Sequence, residues 1–133
     1  MTGTFESRTI TVRIGRPADV VYNFASDPEN FPKWASGLAK SLTKTNGEWV
    51  AETPQGPMTV RFTGQNRFGV LDHYVIPQSG PGIYIPMRVI ANGDGSEVIF
   101  TLFRRPEMSA EKFLEDAAWV NRDLNALKDL LEA

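Results

Sequence analysis

The chain has 133 residues, of which 41% are hydrophobic, and this length and composition fit one domain with an ordinary apolar core. Its 14 Lys and Arg residues against 16 Asp and Glu residues give a net charge of -2 without a long run of either sign, which argues against a nucleic-acid-binding protein. The sequence has no cysteine, which excludes disulfides and thiolate chemistry, and no apolar run approaches the ~20 residues of a membrane span, so we expect a single cytoplasmic domain over residues 1–133.

The N-terminal part of the chain predicts one strand and two short helices. Residues 4–14 alternate between polar and apolar side chains, as in a half-buried strand. Pro17 then opens a short helix, because proline is favoured in a first helical turn, and Asp27-Pro28 ends it. A second short helical segment is predicted from Glu29 to Trp34.

The middle of the chain, from Leu38 to Arg105, shows no helical period and is predicted to consist of strands. Turn residues divide it at Asn46-Gly47, Pro54 to Pro57, Gln65-Asn66, Pro77 to Gly82 and Asn92 to Gly95. These turns give six strands after the helices, and the first strand brings the predicted total to seven.

The turns also predict the register, because a tight hairpin determines which residues pair. The expected pairs are Leu42 with Ala51, Lys44 with Trp49, Trp49 with Phe62, Ala51 with Val60, Phe62 with Gly69, Val60 with Leu71, Met58 with His73, Val89 with Val98, Met87 with Phe100, and Ile85 with Leu102. This register places the apolar residues of all strands on one inner face. On the outer face, Tyr84, Ile90, Ile99 and Phe103 form an apolar patch, which is one indication of a homodimer.

The last segment, Ser109 to Leu131, predicts one long helix. Ser109 is suited to the N-cap, and apolar residues recur at intervals of three and four. That stripe consists of Phe113, Ala117, Val120, Leu124, Leu127 and Leu131. Its second half is rich in leucine and predicts dry packing, whereas the part from Phe113 to Ala117 has one ring and then small side chains and is where a cavity is expected, with Asp116 at its edge.

This order of elements resembles the helix-grip fold of the START-like (SRPBCC) superfamily, which includes polyketide cyclase/dehydrase-like and lipid-transfer proteins. The segment from Ile14 to Trp34, which reads IGRPADVVYNFASDPENFPKW, is similar to the strand-to-helix segment of that superfamily and ends in its tryptophan. The resemblance implies an α+β fold in which a curved, seven-stranded antiparallel sheet wraps around the C-terminal helix, with two short helices between strands 1 and 2. It also implies an apolar cavity between sheet and helix, but it transfers no catalytic residue.

His73 is the only histidine and therefore the candidate for acid–base catalysis near neutral pH. The register points it inward, while Asp72 points outward, so the two side chains are not expected to form a dyad. Three interpretations stay open for His73: a core histidine with an ordinary hydrogen-bond partner, a ligand contact, or a general acid–base.

The remaining candidate ligand contacts are predicted from their inward positions. They are Trp34, Trp49, Met58, Phe62, Met87, Phe100, Phe113, Asp116 and Ala117, and each is also compatible with plain packing or a solvated rim. Trp34 suits either a structural plug for the short helices or a lid over a ligand. Lys40 and Asn121, like Asp116, are candidates for polar contacts at the ends of the cavity.

The sequence therefore favours a protein that binds a small hydrophobic or amphipathic ligand, such as a lipid or a polyketide-like aromatic. Two alternatives remain: a cyclase/dehydrase-like enzyme that uses the same cavity with His73, and a protein-interaction or chaperone-cofactor module. A single histidine without cysteine argues against a zinc site, and no glycine-rich phosphate loop is found, so no cofactor is expected.

Overall fold

A computed structural model describes residues 3–36 and 41–133 of the chain. Within these ranges the predicted α+β architecture with a long C-terminal helix is confirmed. The helices are α1 (Ala18–Ala25), α2 (Phe31–Trp34) and α3 (Ala110–Glu132), with a 3-10 turn at Pro28–Asn30. The strands are β1 (Ser7–Ile14), β2 (Ser41–Thr45), β3 (Glu48–Thr53), β4 (Gly56–Phe62), β5 (His73–Pro77), β6 (Ile83–Ile85), β7 (Met87–Asn92) and β8 (Gly95–Phe103).

The described strands number eight rather than the predicted seven, and they form two antiparallel sheets. A three-stranded sheet has the order β1-β8-β7, and a five-stranded sheet has the order β2-β3-β4-β5-β6. The chain passes from one sheet to the other at Pro86, which lies between β6 and β7 and has no backbone N–H to donate. Ile85 consequently pairs with His73 and not, as predicted, with Leu102.

Two hairpin predictions are confirmed. Leu42 pairs with Ala51 across the Asn46-Gly47 turn, where both turn residues have positive φ (52° and 80°), as a type I′ turn requires. Val89 pairs with Val98 across Gly93-Asp94, where Gly93 supplies the positive φ of 60°.

The two intervening hairpin registers were wrong, each by an even number of residues. Trp49 pairs with Val60 because the turn closes after Pro54 and Gln55, where the Thr53 hydroxyl donates to the Gly56 carbonyl at 2.6 Å. Phe62 pairs with His73 because residues 63–72 form a long loop instead of a tight turn. An even shift preserves the two faces of a strand, so the predicted inward positions remain inward.

The side chain of Asn66 organises that long loop. Its Oδ1 accepts hydrogen bonds from the N–H groups of Phe68 and Val70, both at 3.0 Å. Its Nδ2 donates to the carbonyls of Gly64 and Val70, both also at 3.0 Å. The Gln65-Asn66 pair therefore marks a compact loop, and the predicted two-residue turn at this position was wrong.

Helix α3 buries the predicted stripe against β1 and α2. Ser109 caps it by accepting a 3.0 Å hydrogen bond from the Lys112 N–H, and the stripe residues are buried except for Val120, which is half-buried. Leu124 and Leu127 are fully enclosed, so the leucine-rich second half packs as predicted. No helix in the described part of the chain has the length and apolar character needed to cross a bilayer.

The predicted outer patch is partly a row of stacked rings. Tyr84 lies 6.4 Å from Phe103 and 5.3 Å from Tyr74, measured between ring centroids. Ile90 is exposed and Ile99 is half-buried. The homodimer that this patch indicates stays a prediction.

Candidate functional site

A small cavity lies where α1, α2 and the five-stranded sheet meet. It has about 10 Å³ of free space, which is enough for about one water molecule. Its lining residues are Ala25, Ser26, Phe31, Trp34, Phe62, Thr63, Leu71, His73 and Met87. Four of the predicted site residues therefore line this cavity, but it leaves no space for an organic ligand in this conformation.

Phe31 fills the space beside His73, Phe62 and Trp34. Its ring is 2% exposed and meets three aromatic rings edge-on, at centroid distances of 5.4 Å to Trp34, 5.3 Å to Phe62 and 5.7 Å to His73. Such edge-to-face contacts add to the burial energy of each ring. Helix α2 thus places its aromatic residues, Phe31 and Trp34, in the main core.

His73 is buried at the first position of β5. Its Nδ1 lies 3.0 Å from the Leu71 carbonyl oxygen, so Nδ1 carries the proton and donates. Burial lowers the pKa of His73 below 6.5, and the hydrogen bond to Leu71 and the negative charge of Asp72 oppose that shift without reversing it. The side chain is therefore a neutral imidazole whose Nε2 carries the acceptor lone pair.

Asp72 does not contact the imidazole, as the alternation of the strand predicted. Its Oδ1 accepts a 2.8 Å hydrogen bond from the Met87 N–H and lies 3.2 Å from Arg88 Nη1. Its Oδ2 accepts from the Tyr84 hydroxyl at 3.3 Å. Asp72 thus joins the two sheets on the outer face, near the point where Pro86 interrupts the strand, and none of the described carboxylates orients His73.

Trp34 is buried in the wall of the small cavity. It is 3% exposed, and no described residue accepts a hydrogen bond from its Nε1–H. An unpartnered N–H in a buried place costs free energy, so the burial of this ring depends on its apolar contacts. The cavity consequently has a neutral imidazole in its wall, whereas the Trp34 N–H is enclosed by protein.

A larger cavity forms a groove between β1 and the first half of α3. Its volume is about 260 Å³, and its walls are Arg8, Ile10, Leu114, Ala117, Ala118 and Asn121. The groove exists because α3 presents the small side chains of Ala117 and Ala118 to β1 at this height. Further along the helix Leu124 and Leu127 fill the corresponding space.

The ten predicted site residues therefore separate into three groups. Trp34, Phe62, His73 and Met87 line the small cavity, and Ala117 lines the groove. The other five, which line neither cavity, are Trp49, Met58, Phe100, Phe113 and Asp116.

Each of those five has a physical reason for its position. Phe100 and Phe113 are buried in the main core, where they complete the packing between the three-stranded sheet and the helices. Trp49 and Met58 are half-buried on the five-stranded sheet. Asp116 is held at the surface by Lys112, whose Nζ lies 2.9 Å from Oδ1. Lys40 lies outside the described residues.

Most of the residues that line the groove were not predicted from the sequence. Arg8, Ile10, Leu114 and Ala118 were not among the predicted site residues, whereas Asn121 was considered as a rim contact and does line the groove. A signal was present in β1, because Arg8 has the same parity as the inward Ile10 and Val12. Arg8 is exposed near the start of the strand, so its charge remains accessible to water beside the groove.

Metal binding finds no support in the described residues, which contain no group of three or more acidic, histidine or cysteine side chains placed to hold an ion. The candidate chemistry is therefore that of a neutral imidazole and a guanidinium, each beside apolar walls.

Comparison with known proteins identifies the family. The family described as polyketide cyclase / dehydrase and lipid transport matches residues 7–132. The chain belongs to this family. The match confirms that this is a START-like, polyketide cyclase/dehydrase-type domain, as the resemblance of its sequence implied. A comparison with functionally curated proteins finds no match.

Solved structures show the same fold. The domain is similar to the protein XoxI from Bacillus cereus, with a TM-score of 0.73, 16% identity and 95% of each chain covered. It is also similar to a START superfamily protein from Mycobacterium smegmatis, with a TM-score of 0.65, 14% identity and coverage of 95% of this chain and 97% of that one. For CalU16 from Micromonospora echinospora the TM-score is 0.66 at 16% identity, covering 93% and 73% of the two chains. These similarities establish the helix-grip fold, and the family and fold together make this a polyketide cyclase/dehydrase-like or START-type ligand-binding domain.

Proposed function

We propose that this domain binds a small hydrophobic or amphipathic molecule in the groove between β1 and the first half of α3. The observation that carries the proposal is the volume of about 260 Å³ beside apolar walls. Ligand sites for small molecules usually measure ~300–1,000 Å³, so the groove lies just below that range and suits a small ligand. The cavity beside His73, with about 10 Å³, does not.

The walls of the groove favour an apolar ligand. Leu114 is 51% exposed, although it lies on a helix whose neighbouring turns are well packed. A ligand that covers Leu114 and Ile10 removes apolar surface from water, which contributes about 25 cal/mol per Å² before the entropic cost of binding. Family membership supports the same conclusion, because the family name includes lipid transport.

Filling the groove tests the proposal directly. Ala118 lines the groove and is exposed, so Ala118→Phe occupies the space without disturbing the core. Ala110→Phe, at an exposed position in the first turn of the same helix, is the matched control. The affinity for a neutral fluorescent lipid probe such as Nile red should fall about tenfold or more in Ala118→Phe and stay unchanged in Ala110→Phe. Equal affinities of the two variants would count against the groove.

A second candidate function is catalysis of the cyclase/dehydrase kind, with His73 as the base. Its support is the neutral state of the buried imidazole, since a base must be unprotonated, together with the position of His73 in the wall of the small cavity. A substrate needs more room than the present cavity, so this function requires Phe31 and Trp34 to move. The test compares wild type and His73→Gln for aromatic product formed from a poly-β-ketone; unchanged turnover in the variant would remove His73 from the mechanism.

A third candidate is interaction with another protein through exposed aromatic residues. Trp119 is 39% exposed, and the guanidinium of Arg122 lies 4.3 Å from its ring centroid. The row of Tyr74, Tyr84 and Phe103 lies on the outer face. Light scattering after size exclusion measures whether the domain pairs with itself. A mass that corresponds to the monomer at all concentrations would exclude the homodimer.

A further inference from the structure

Arg8 is a cation on the inward face of β1. In this strand Val12 and Ile14 are buried and Ile10 is half-buried, and Arg8 shares their parity. Across the ladder Arg8 pairs with Leu102, which is buried on the same face. The Arg8 side chain therefore starts on the side of the sheet that faces α3; it is exposed, and Arg8 is one of the residues that line the groove.

The charge of Arg8 has no carboxylate partner among the described residues, in contrast to the arginines around it. Arg13, on the outward face of β1, lies 2.9 Å from Glu97, and Arg104 lies 3.2 Å from Glu6. On α3 the nearest acidic residues in sequence to the groove positions, Glu115 and Asp116, are both within reach of Lys112, at 3.6 Å and 2.9 Å.

The other groove residues supply no negative charge either. Ile10, Leu114, Ala117 and Ala118 are apolar, and Asn121 is a neutral amide. A guanidinium at one end of an apolar groove presents a planar fork of N–H donors, whose geometry matches a carboxylate. The site thus has the two halves that an amphipathic anion needs, a head contact and an apolar floor.

We propose that the groove selects a carboxylate-bearing ligand, with its carboxylate on the Arg8 guanidinium and its apolar body over Ala117 and Ala118. This inference rests on the proposed function and names the ligand class for the same groove. A volume of about 260 Å³ suits a single short chain or a small ring system better than a diacyl lipid.

The decisive experiment compares a carboxylate with its uncharged counterpart. Decanoate and decanol, at concentrations below their aggregation range and at about pH 7.5, where a carboxyl group is ionised, are titrated by calorimetry into wild type, Arg8→Gln and Arg13→Gln. Arg13→Gln is the matched control, since it removes an arginine from the outward face of the same strand. Thermal unfolding of each variant verifies that it is folded.

We expect decanoate to bind wild type about tenfold more tightly than decanol, because a charge-assisted hydrogen bond is lost without the carboxylate. Arg8→Gln should abolish this preference by weakening decanoate alone, and Arg13→Gln should leave it intact. The preference should also shrink at high salt, as expected for a partly exposed ion pair.

Two outcomes overturn the inference in different ways. If decanoate and decanol bind equally well and Arg8→Gln changes neither, the groove binds ligands without selecting an anion, and the proposed function stands alone. If neither compound binds and Nile red binding is insensitive to Ala118→Phe, both the proposed function and the anion selectivity are wrong.

Discussion

The carboxylate of Glu132 accepts a 2.6 Å hydrogen bond from the backbone N–H of Gly15, which joins the last turn of α3 to the segment after β1. Lys128 donates to the same carboxylate at 2.9 Å and to the Arg13 carbonyl at 2.7 Å. Arg16 donates to the carbonyl of Leu131 at 2.8 Å, and so satisfies one of the carbonyls that a helix leaves unpaired at its C-terminal end. Hydrogen bonds thus hold the C-terminal end of α3 against the end of β1 and the segment after it, whereas the groove runs along the first half of α3.

Glu132→Gln should lower the thermal midpoint at neutral pH. Hydrogen bonds from Lys128 and from the Gly15 N–H lower the pKa of Glu132 below 4.5, so the stability that this carboxylate contributes is complete above pH 4.5 and is lost as the pH falls through the lower, folded-state pKa. The difference in midpoint between wild type and variant should therefore shrink in acid. Glu52→Gln, at an exposed position of β3, is the control; an equal effect at that site would show that the bonds of Glu132 are not responsible.

His73 predicts a second, separate dependence on pH. Its folded-state pKa lies below 6.5, so its contribution to stability is complete above pH 6.5 and is lost as the pH falls towards the folded-state value, because the unfolded chain takes up a proton first. In urea unfolding of wild type, this group should lower the free energy of unfolding by at most about 1.4 kcal/mol for each pH unit of acidification in this range. In His73→Gln that component should be missing, and a parallel pH profile of the two proteins would contradict a neutral buried imidazole.

Gly69 should tolerate no side chain. It has a φ of 70°, and a Cβ atom at this position would collide with the Val89 carbonyl oxygen. The Val89 backbone cannot retreat freely, because its N–H donates a 2.9 Å hydrogen bond to the carbonyl of Gly69 itself. Gly69→Ala should cost several kcal/mol or prevent folding.

The matched control for this substitution is Gly47→Ala. Gly47 has a φ of 80°, but nothing lies within 4 Å of the place that a Cβ atom would take, so alanine there adds only the conformational cost of about 1 kcal/mol. Urea unfolding of both variants separates strain from collision. Equal destabilisation of the two would mean that the contact with Val89 is relieved by a shift of the loop.

Asn66 should be required for the loop between β4 and β5. Its side chain makes four hydrogen bonds within the loop, and its backbone N–H donates to the Tyr22 hydroxyl of α1 at 2.9 Å. Asn66→Ala removes the four side-chain bonds and should destabilise the domain by about 1–3 kcal/mol, measured by urea unfolding. Asn66→Asp retains the acceptor of the Phe68 and Val70 N–H groups and should cost less, so an aspartate variant as unstable as the alanine variant would contradict the role of that acceptor.

Local patterns in the sequence determined the elements whose formation depends on near neighbours. Spacing and turn chemistry predict the stripe and cap of α3, the Asn46-Gly47 and Gly93-Asp94 hairpins and the helix after Pro17. The order of these elements along the chain carries the family resemblance. The inward positions of the strands were also predictable, because even shifts of register leave the faces unchanged.

Only the tertiary structure decided where space remains inside the fold. Whether an inward side chain lines a cavity depends on what another element brings opposite to it: Phe31 fills the space beside His73, while Ala117 leaves space beside Arg8, and each pair joins segments far apart in the sequence. The passage of the chain from one sheet to the other at Pro86 also depends on tertiary contacts. The Asp72 carboxylate accepts a hydrogen bond from the Met87 N–H, which lies just beyond Pro86. Periodicity reports which way a side chain faces, but packing density depends on the sum of volumes across the interface, and that sum is available only once the elements have assembled.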